Sequence, residues 1–249
     1  MPQMPQPERP PVVAFASTKG GVGKTTLAYS LATELTRRLR AGNYGSPAFR
    51  DAGRPEFLAC CIDADPNRTL MEAIRITGMP DIRILTADGE SLLEVLRTAL
   101  ASARVVLIDL EGTANQAMLY ACGKADLVLI PAQPSRFDVL EAVKTAGVVR
   151  QAADLVGRHI EYRVVLARTP VLRQRVAEHS RAQFVKVGLP MLGVELVQRT
   201  AFQTMTYSGE PPFVQEPGGG AARNVEALAD EIVEILGLDL PAVSTEEAA

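Results

Sequence analysis

Short apolar runs, each closed by a glycine, a proline or an acidic residue, alternate along this chain with stretches whose apolar positions return every three or four residues. The runs read as buried strands and the stretches as amphipathic helices. Val12-Val13-Ala14-Phe15-Ala16 is the first strand, and Phe57 to Ile62 the second, ending at Asp63. Ile82-Arg83-Ile84-Leu85 follows, then Arg104 to Ile108 closed by Asp109, and Leu127 to Ile130 stopped by Pro131. Arg163 to Ala167 and Leu192 to Leu196 are the last two. Leu27, Leu31 and Leu35 mark one helix face, and Leu92, Leu93, Val95, Leu96 and Leu100 another. Further helices are expected over Phe137–Val156, Leu172–Val187 and Val225–Leu236, and a long surface loop between Ala41 and Glu56. Alternation almost throughout the chain implies crossover units, hence an α/β fold with a mainly parallel sheet and helices on both faces.

At 249 residues one well-buried domain is expected, over 12–237. The Pro- and Gln-rich 1–11 reads as a disordered tail and 238–249 as a flexible acidic one. The formal charge of −3 excludes a wholly basic nucleic-acid coat but leaves room for a local patch. Cys60, Cys61 and Cys122 form no C-x-x-C pair, which fits buried thiols in a reducing, cytoplasmic setting and weighs against metal-cluster chemistry. No apolar run approaches the ~18 residues that span a bilayer, so no transmembrane segment is expected.

The chemistry concentrates at Thr18-Lys19-Gly20-Gly21-Val22-Gly23-Lys24-Thr25-Thr26, directly after the first strand. A strand delivering a glycine-rich loop to a helix start makes a cradle for a nucleotide triphosphate, because backbone N–H groups and the helix N-terminus converge on the phosphates. Lys24 suits the β and γ phosphates and the Thr25 hydroxyl suits Mg²⁺. The usual pattern has a glycine where this chain has Thr18, and a second lysine, Lys19, stands at the loop's entrance. A metal partner is expected at the end of a neighbouring strand, where Asp109 and the pair Asp63-Ala64-Asp65-Pro66 stand. The plainer alternative is that these aspartates cap helices or start turns.

Taken with Asn67 and Val105–Asp109, these segments resemble the ParA/MinD family of deviant phosphate-loop ATPases, a P-loop three-layer sandwich, over about the first half of the chain. Asp109-Leu110-Glu111-Gly112 departs from the Asp-x-Pro-Pro common in partition members and is closer to a branch tied to conjugative DNA transfer, the VirC-type proteins. The resemblance implies an ATP- and Mg²⁺-dependent homodimer in which Lys19 reaches the partner's nucleotide. It makes Lys24 the phosphate ligand in cis and Thr25 the direct metal ligand, with Asp63 and Asp109 contacting the metal through water. It implies that Asp65 orients the attacking water and that Gly112 to Asn115 form a switch segment. Glu111 stays open as a switch residue, a helix-start charge or a dimer contact. Arg168-Thr169-Pro170 and Pro211-Pro212-Phe213 are the adenine candidates, or else turns.

The segment richest in cations is Arg168 to Lys186, with Arg173, Arg175, Arg181 and Lys186. The resemblance implies nonspecific DNA binding there and a ParB-like or relaxosome-type partner; a solvated helix face is the alternative. Arg37, Arg38 and Arg40 form a weaker second patch, or simply complement a helix end. A protein-positioning ATPase without DNA contact is the competing function.

Overall fold

The computed structural model describes residues 9–42, 44, 55–171 and 175–241, with backbone only at 175 and 176. Seven strands are built from the apolar runs: β1 Val12–Phe15, β2 Phe57–Ala64, β3 Ile82–Thr86, β4 Ala103–Leu110, β5 Leu127–Ala132, β6 Glu161–Thr169 and β7 Leu196–Val197. Every pairing is parallel, in the order β3-β2-β4-β1-β5-β6-β7, so the shortest apolar run but one lies at the centre. Strands covered on both faces need side chains that are apolar on both, and β1 and β5 are buried throughout.

Successive strand residues feed opposite cores. Val12, Ala14 and Cys60 join the core under one helical layer; Val13, Phe15 and Cys61 join the core under the other. All three cysteines are free and buried. The first layer holds α3 (Leu92–Ser102), α4 (Gln116–Lys124) and α5 (Arg136–Val156); the second holds α1 (Lys24–Ala41), α2 (Thr69–Thr77), α7 (Thr200–Ser208) and α9 (Gly220–Ile235). The helix α6 (Arg175–Lys186) and the short α8 (Pro212–Gln215) complete the described elements. The sheet with helices on both faces is the expected three-layer α/β fold. No helix among the described residues is long and apolar enough to cross a membrane.

Several local expectations need correction. Helices α2, α4, α7 and α8 have no counterpart in the periodicity reading. The strand expected over Leu192–Leu196 is reduced to Leu196–Val197, with one bridge between Met191 and Val164. The reason is side-chain competition: Glu231 accepts from Gly193 N and Val194 N at 2.8 and 3.0 Å, and Arg181 donates to the carbonyls of Leu192 and Gly193. Residues 9–11, assigned to a disordered tail, are fastened: Arg9 bonds both oxygens of Asp126 and Pro11 O accepts from Val106 N. Leu238 and Leu240 pack on the second core, past the boundary expected at 237. Most of the loop expected over Ala41–Glu56, and the start of the helix expected at Leu172, lie outside the described residues.

Candidate functional site

At the C-terminal edge of β1 the chain turns through Ser17–Gly23 into α1. Gly21 at φ +73° and Gly23 at φ +103° occupy the left-handed region, which a residue with a Cβ rarely adopts. Gly23 is the N-cap of α1, so the loop's last turn aims the helix's free N–H groups into the cradle. Lys24 is only 6% exposed and reaches back across the loop to Lys19 O at 3.4 Å. Burial lowers its pKa, opposed by the carboxylates of Asp109, Asp65 and Glu111.

Sheet register brings the acidic strand ends together. Asp109 sits opposite Phe15 on one side and Asp63 on the other, one strand spacing away in each direction. Thr25 Oγ1 donates to Asp109 Oδ2 at 2.7 Å, while the buried Asp109 Oδ1 has no hydrogen-bond partner. Burial pushes the Asp109 carboxyl up to about 7; the Thr25 hydrogen bond opposes this and neighbouring Asp63 adds to it. The fully buried Asp63 instead accepts from Asp65 N at 3.0 Å and Met71 N at 2.9 Å, and burial raises its pKa. These two bonds also hold the turn into α2.

Above this floor opens a cavity of about 500 Å³, lined by Gly20, Gly21, Gly23, Lys24, Thr25 and Thr26 of the loop, by Asp65, Asn67 and Thr69, and by Glu111, Gly112 and Thr113. Asp65 faces the cavity and also accepts from the backbone and side chain of Asn67. Asn115 caps α4 by accepting from Met118 N, and its amide donates to Glu111 Oε2 at 3.2 Å, so Glu111 is tied to the start of that helix. Val22, by contrast, is buried behind the loop.

Arg168, held at φ +55°, lines this cavity and a second one of about 330 Å³ that continues past Gly23 and Thr26 to Gln133, Gln198, Arg199, Phe202 and Gln203. Of the two adenine candidates only the Arg168 segment reaches it. Phe213 lies elsewhere, its ring 5.2 Å from the Arg37 guanidinium.

The residues that replace the usual loop entrance are anchored on α5. Thr18 N donates to Thr145 Oγ1 at 3.1 Å and Thr18 Oγ1 to Glu141 Oε2 at 2.7 Å; Lys19 Nζ pairs with Asp138 Oδ2 at 3.0 Å. Gln133 Nε2 donates to Gly21 O at 3.2 Å. These four partners escaped sequence reasoning. The only trace was Ser135-x-x-Asp138, which reads as an ordinary helix start, and Ser135 does cap α5 by accepting from Asp138 N.

The basic segments fare unevenly. Arg173, and the side chain of Arg175, lie outside the described residues. Arg181 is bonded to Glu195 and two carbonyls, and Lys186 is exposed at the end of α6. The Arg37, Arg38 and Arg40 patch is corrected: Arg38 is 2% exposed between Glu34 and Asp230, Arg37 pairs with Glu34 and Glu226, and Arg40 pairs with Asp81. Carboxylates from α9 and from the turn before β3 neutralise it.

The donor set fits a magnesium–nucleotide pair. Mg²⁺ keeps most of its waters and takes few protein ligands; a hydroxyl backed by a carboxylate with a free oxygen meets that need. No cluster of three or more His, Cys, Asp or Glu able to hold a metal occurs among the described residues, so the protein alone offers no cage.

No family model matches the chain. It is similar to the protein ParA of Rhizobium radiobacter, at 28% identity over 233 residues, covering 91% of this chain and 97% of that protein. It is also similar to the maintenance of carboxysome distribution protein A of Halothiobacillus neapolitanus, at 23% identity over 236 residues, covering 92% and 96%. Among solved structures, the septum site-determining protein MinD of Pyrococcus horikoshii complexed with Mg-ADP shares the fold, with a TM-score of 0.67 at 17% identity over 91% of this chain and 97% of that one. A lysine at the loop's entrance, Asp109 and Asp63 at the ends of adjacent strands, and likeness running nearly the full length of both curated relatives agree: the chain is similar to ATPases of the ParA/MinD type.

Proposed function

We propose that the protein is a cytoplasmic ATP-hydrolysing switch that dimerises face to face over Mg·ATP and positions DNA or a DNA-transfer complex. The Thr25–Asp109 pair carries this reading: a hydroxyl on the phosphate loop is held by a buried carboxylate whose second oxygen is unspent. In the proposal Lys24 and the N–H groups of residues 20–26 hold the phosphates. Thr25 ligates the metal directly, Asp109 and Asp63 steady its waters, and Asp65 orients the attacking water. Bound Mg²⁺ would neutralise charge on the β and γ oxygens. Adenine enters the cavity beyond Arg168. Lys19 leaves Asp138 and crosses to the partner's phosphates, where a cation supplied in trans stabilises charge on the transferring group.

Light scattering on the wild-type chain and on Lys19→Ala and Asp65→Ala tests this. With ATP and Mg²⁺ the wild type should dimerise. Asp65→Ala should stay dimeric through lost turnover, and Lys19→Ala should bind ATP but hydrolyse it slowly. A wild type that stays monomeric with ATP would overturn the proposal.

The cargo is DNA in this reading, held by Arg173, Arg175 and Lys186, with a ParB-like or relaxosome-type partner stimulating turnover. Retention on duplex DNA that weakens steeply with salt would support it. A second reading, positioning of a protein assembly without DNA, draws on the carboxysome-distribution relative and on Arg181, Arg37, Arg38 and Arg40 being spent on internal carboxylates. ATP-dependent dimers that ignore DNA even at low salt would favour it.

A further inference from the structure

At the other end of the sheet, where β1, β5 and β6 begin, a cleft of about 490 Å³ opens between α3 and the ends of α4 and α5. The eight residues of β4 separate this edge from the nucleotide edge, about 25 Å at the usual rise per residue. Four cations line it and no carboxylate does. Arg9 is neutralised by Asp126. Arg97, Lys124 and Arg158 are exposed and make no ion pair among the described residues. Arg158 is fixed by donating to the carbonyls of Gly123, Ala125 and His159, which hold the guanidinium without cancelling its charge.

The floor is apolar. Leu93 and Leu100 of α3 are half-buried at the surface of the cleft, Leu96 beneath them is 3% exposed and belongs to the core, and Val156, 42% exposed at the end of α5, also lines it. Gly123 allows the opposite wall to close, since a Cβ there would lie 3.2 Å from Val156 Cγ1. An apolar floor of Leu93, Leu100 and Val156 rimmed by unneutralised cations matches a helix with one apolar face and acidic flanks. A nucleic-acid backbone would cover none of the leucines, and a bilayer surface would not enter a cleft.

We propose that this cleft docks an acidic amphipathic helix of a partner protein, its apolar face on Leu93, Leu100 and Val156 and its carboxylates against Arg97, Lys124 and Arg158. The dock goes beyond the nucleotide switch and stands apart from it, so cargo can be carried through the ATP cycle without blocking the nucleotide face.

The test uses the full chain and a fluorescein-labelled helical peptide of about 15 residues, long enough to be stapled into a stable helix, with Leu on one face and Glu on the other. A scrambled peptide of the same composition, a short DNA duplex and phosphatidylglycerol vesicles are the comparison probes. Anisotropy should rise saturably for the amphipathic peptide alone, equally with ATP or ADP. Arg97→Glu with Lys124→Glu should bind it about tenfold more weakly, and Leu100→Asp should weaken it too. Both variants should keep wild-type ATP affinity, which shows them folded and separates a failure here from a failure of the nucleotide reading. No saturable binding, equal binding of the scrambled peptide, or indifference to the substitutions overturns the proposal. Duplex or vesicle binding that depends on these residues while the peptide does not bind overturns it as well.

Discussion

Gly112 lies so close to the phosphate loop that a methyl group on its Cα would stand 2.7 Å from Gly20 N, 2.8 Å from Gly20 Cα and 3.0 Å from the carbonyl carbon of Lys19. Bringing the nearest contact to an ordinary 3.4 Å moves the two segments apart by about 0.7 Å. The atoms met are backbone, so no rotamer change relieves the clash. Overpacking of this kind costs about 1–3 kcal/mol, while replacing glycine by alanine recovers about 0.4–1 kcal/mol through the unfolded chain. The clash therefore prevails, by about 1–2 kcal/mol. Gly20 also lines the phosphate cavity, so the displacement falls on the cradle itself. Gly112→Ala should destabilise the fold by that amount and, with the cradle displaced, weaken ATP binding as well. A fluorescent ATP analogue titrated with Mg²⁺ measures the loss, and circular dichroism checks the fold. Affinity within about twofold of wild type, with an unchanged melting curve, would show that the switch segment does not rest on the loop in solution.

Gly147 offers the opposite case: it sits inside α5 and nothing lies within 4 Å of an added Cβ. Gly147→Ala should stabilise by about 1 kcal/mol through helix propensity, raising Tm by about 2–4 °C; no rise in a calorimetric scan would contradict the open packing. Arg38→Ala strands the buried Glu34 carboxylate, though Arg37 still touches it, so the loss should fall near the lower end of the buried-pair range, about 3 kcal/mol by urea denaturation. A loss below about 1 kcal/mol would show the network to be a surface feature. Lys24→Ala removes a charged donor aimed at phosphate and should cut ATP affinity about 10- to 100-fold; equilibrium dialysis showing no change would remove Lys24 from the cradle.

What the sequence disclosed and what it hid divide along a physical line. The glycine loop and the strand-end aspartates were legible because local chemistry dictates them: an apolar run must stop where a carboxylate begins, and left-handed turns call for glycine. That Asp63 faces Asp109 across the sheet depends on register, which no single strand encodes. The anchors Asp138, Glu141 and Thr145 stand 119 to 127 residues from the loop they hold, and Ser135-x-x-Asp138 looks like any helix cap. Leu192–Leu196 has a strand's composition, yet Glu231, brought in by α9, takes its N–H groups. Arg37, Arg38 and Arg40 resembled a basic patch because the distant partners that balance them, Glu226 and Asp230 on another helix and Asp81 before β3, are far away in sequence. The start of α2 carried no capping signal, since Arg68 stands at its N-cap in the left-handed region and its side chain caps nothing, donating instead to the carbonyls of Asp63 and Ala87.

The pairing of Lys19 with Asp138 bears directly on whether the entrance lysine is free to serve a second subunit. Lys19 is 39% exposed in this pair, so water screens the attraction, and its net worth is about 1 kcal/mol or less. Asp138 is 2% exposed and would be costly to strip bare. It does not depend on Lys19, however: Ser135 Oγ donates to the same carboxylate and Gln133 N donates to its other oxygen at 3.2 Å. The carboxylate stays solvated by protein donors after the lysine departs. Thr18 meanwhile remains fastened to Thr145 and Glu141, so the backbone at the entrance holds still while one side chain swings. A triphosphate carries more negative charge than one carboxylate, and a closed interface strengthens every attraction inside it. The resting contact is thus weak enough to yield and placed well enough to keep Lys19 near the mouth of the cavity, which is what exchange from a cis carboxylate to a partner's phosphate requires.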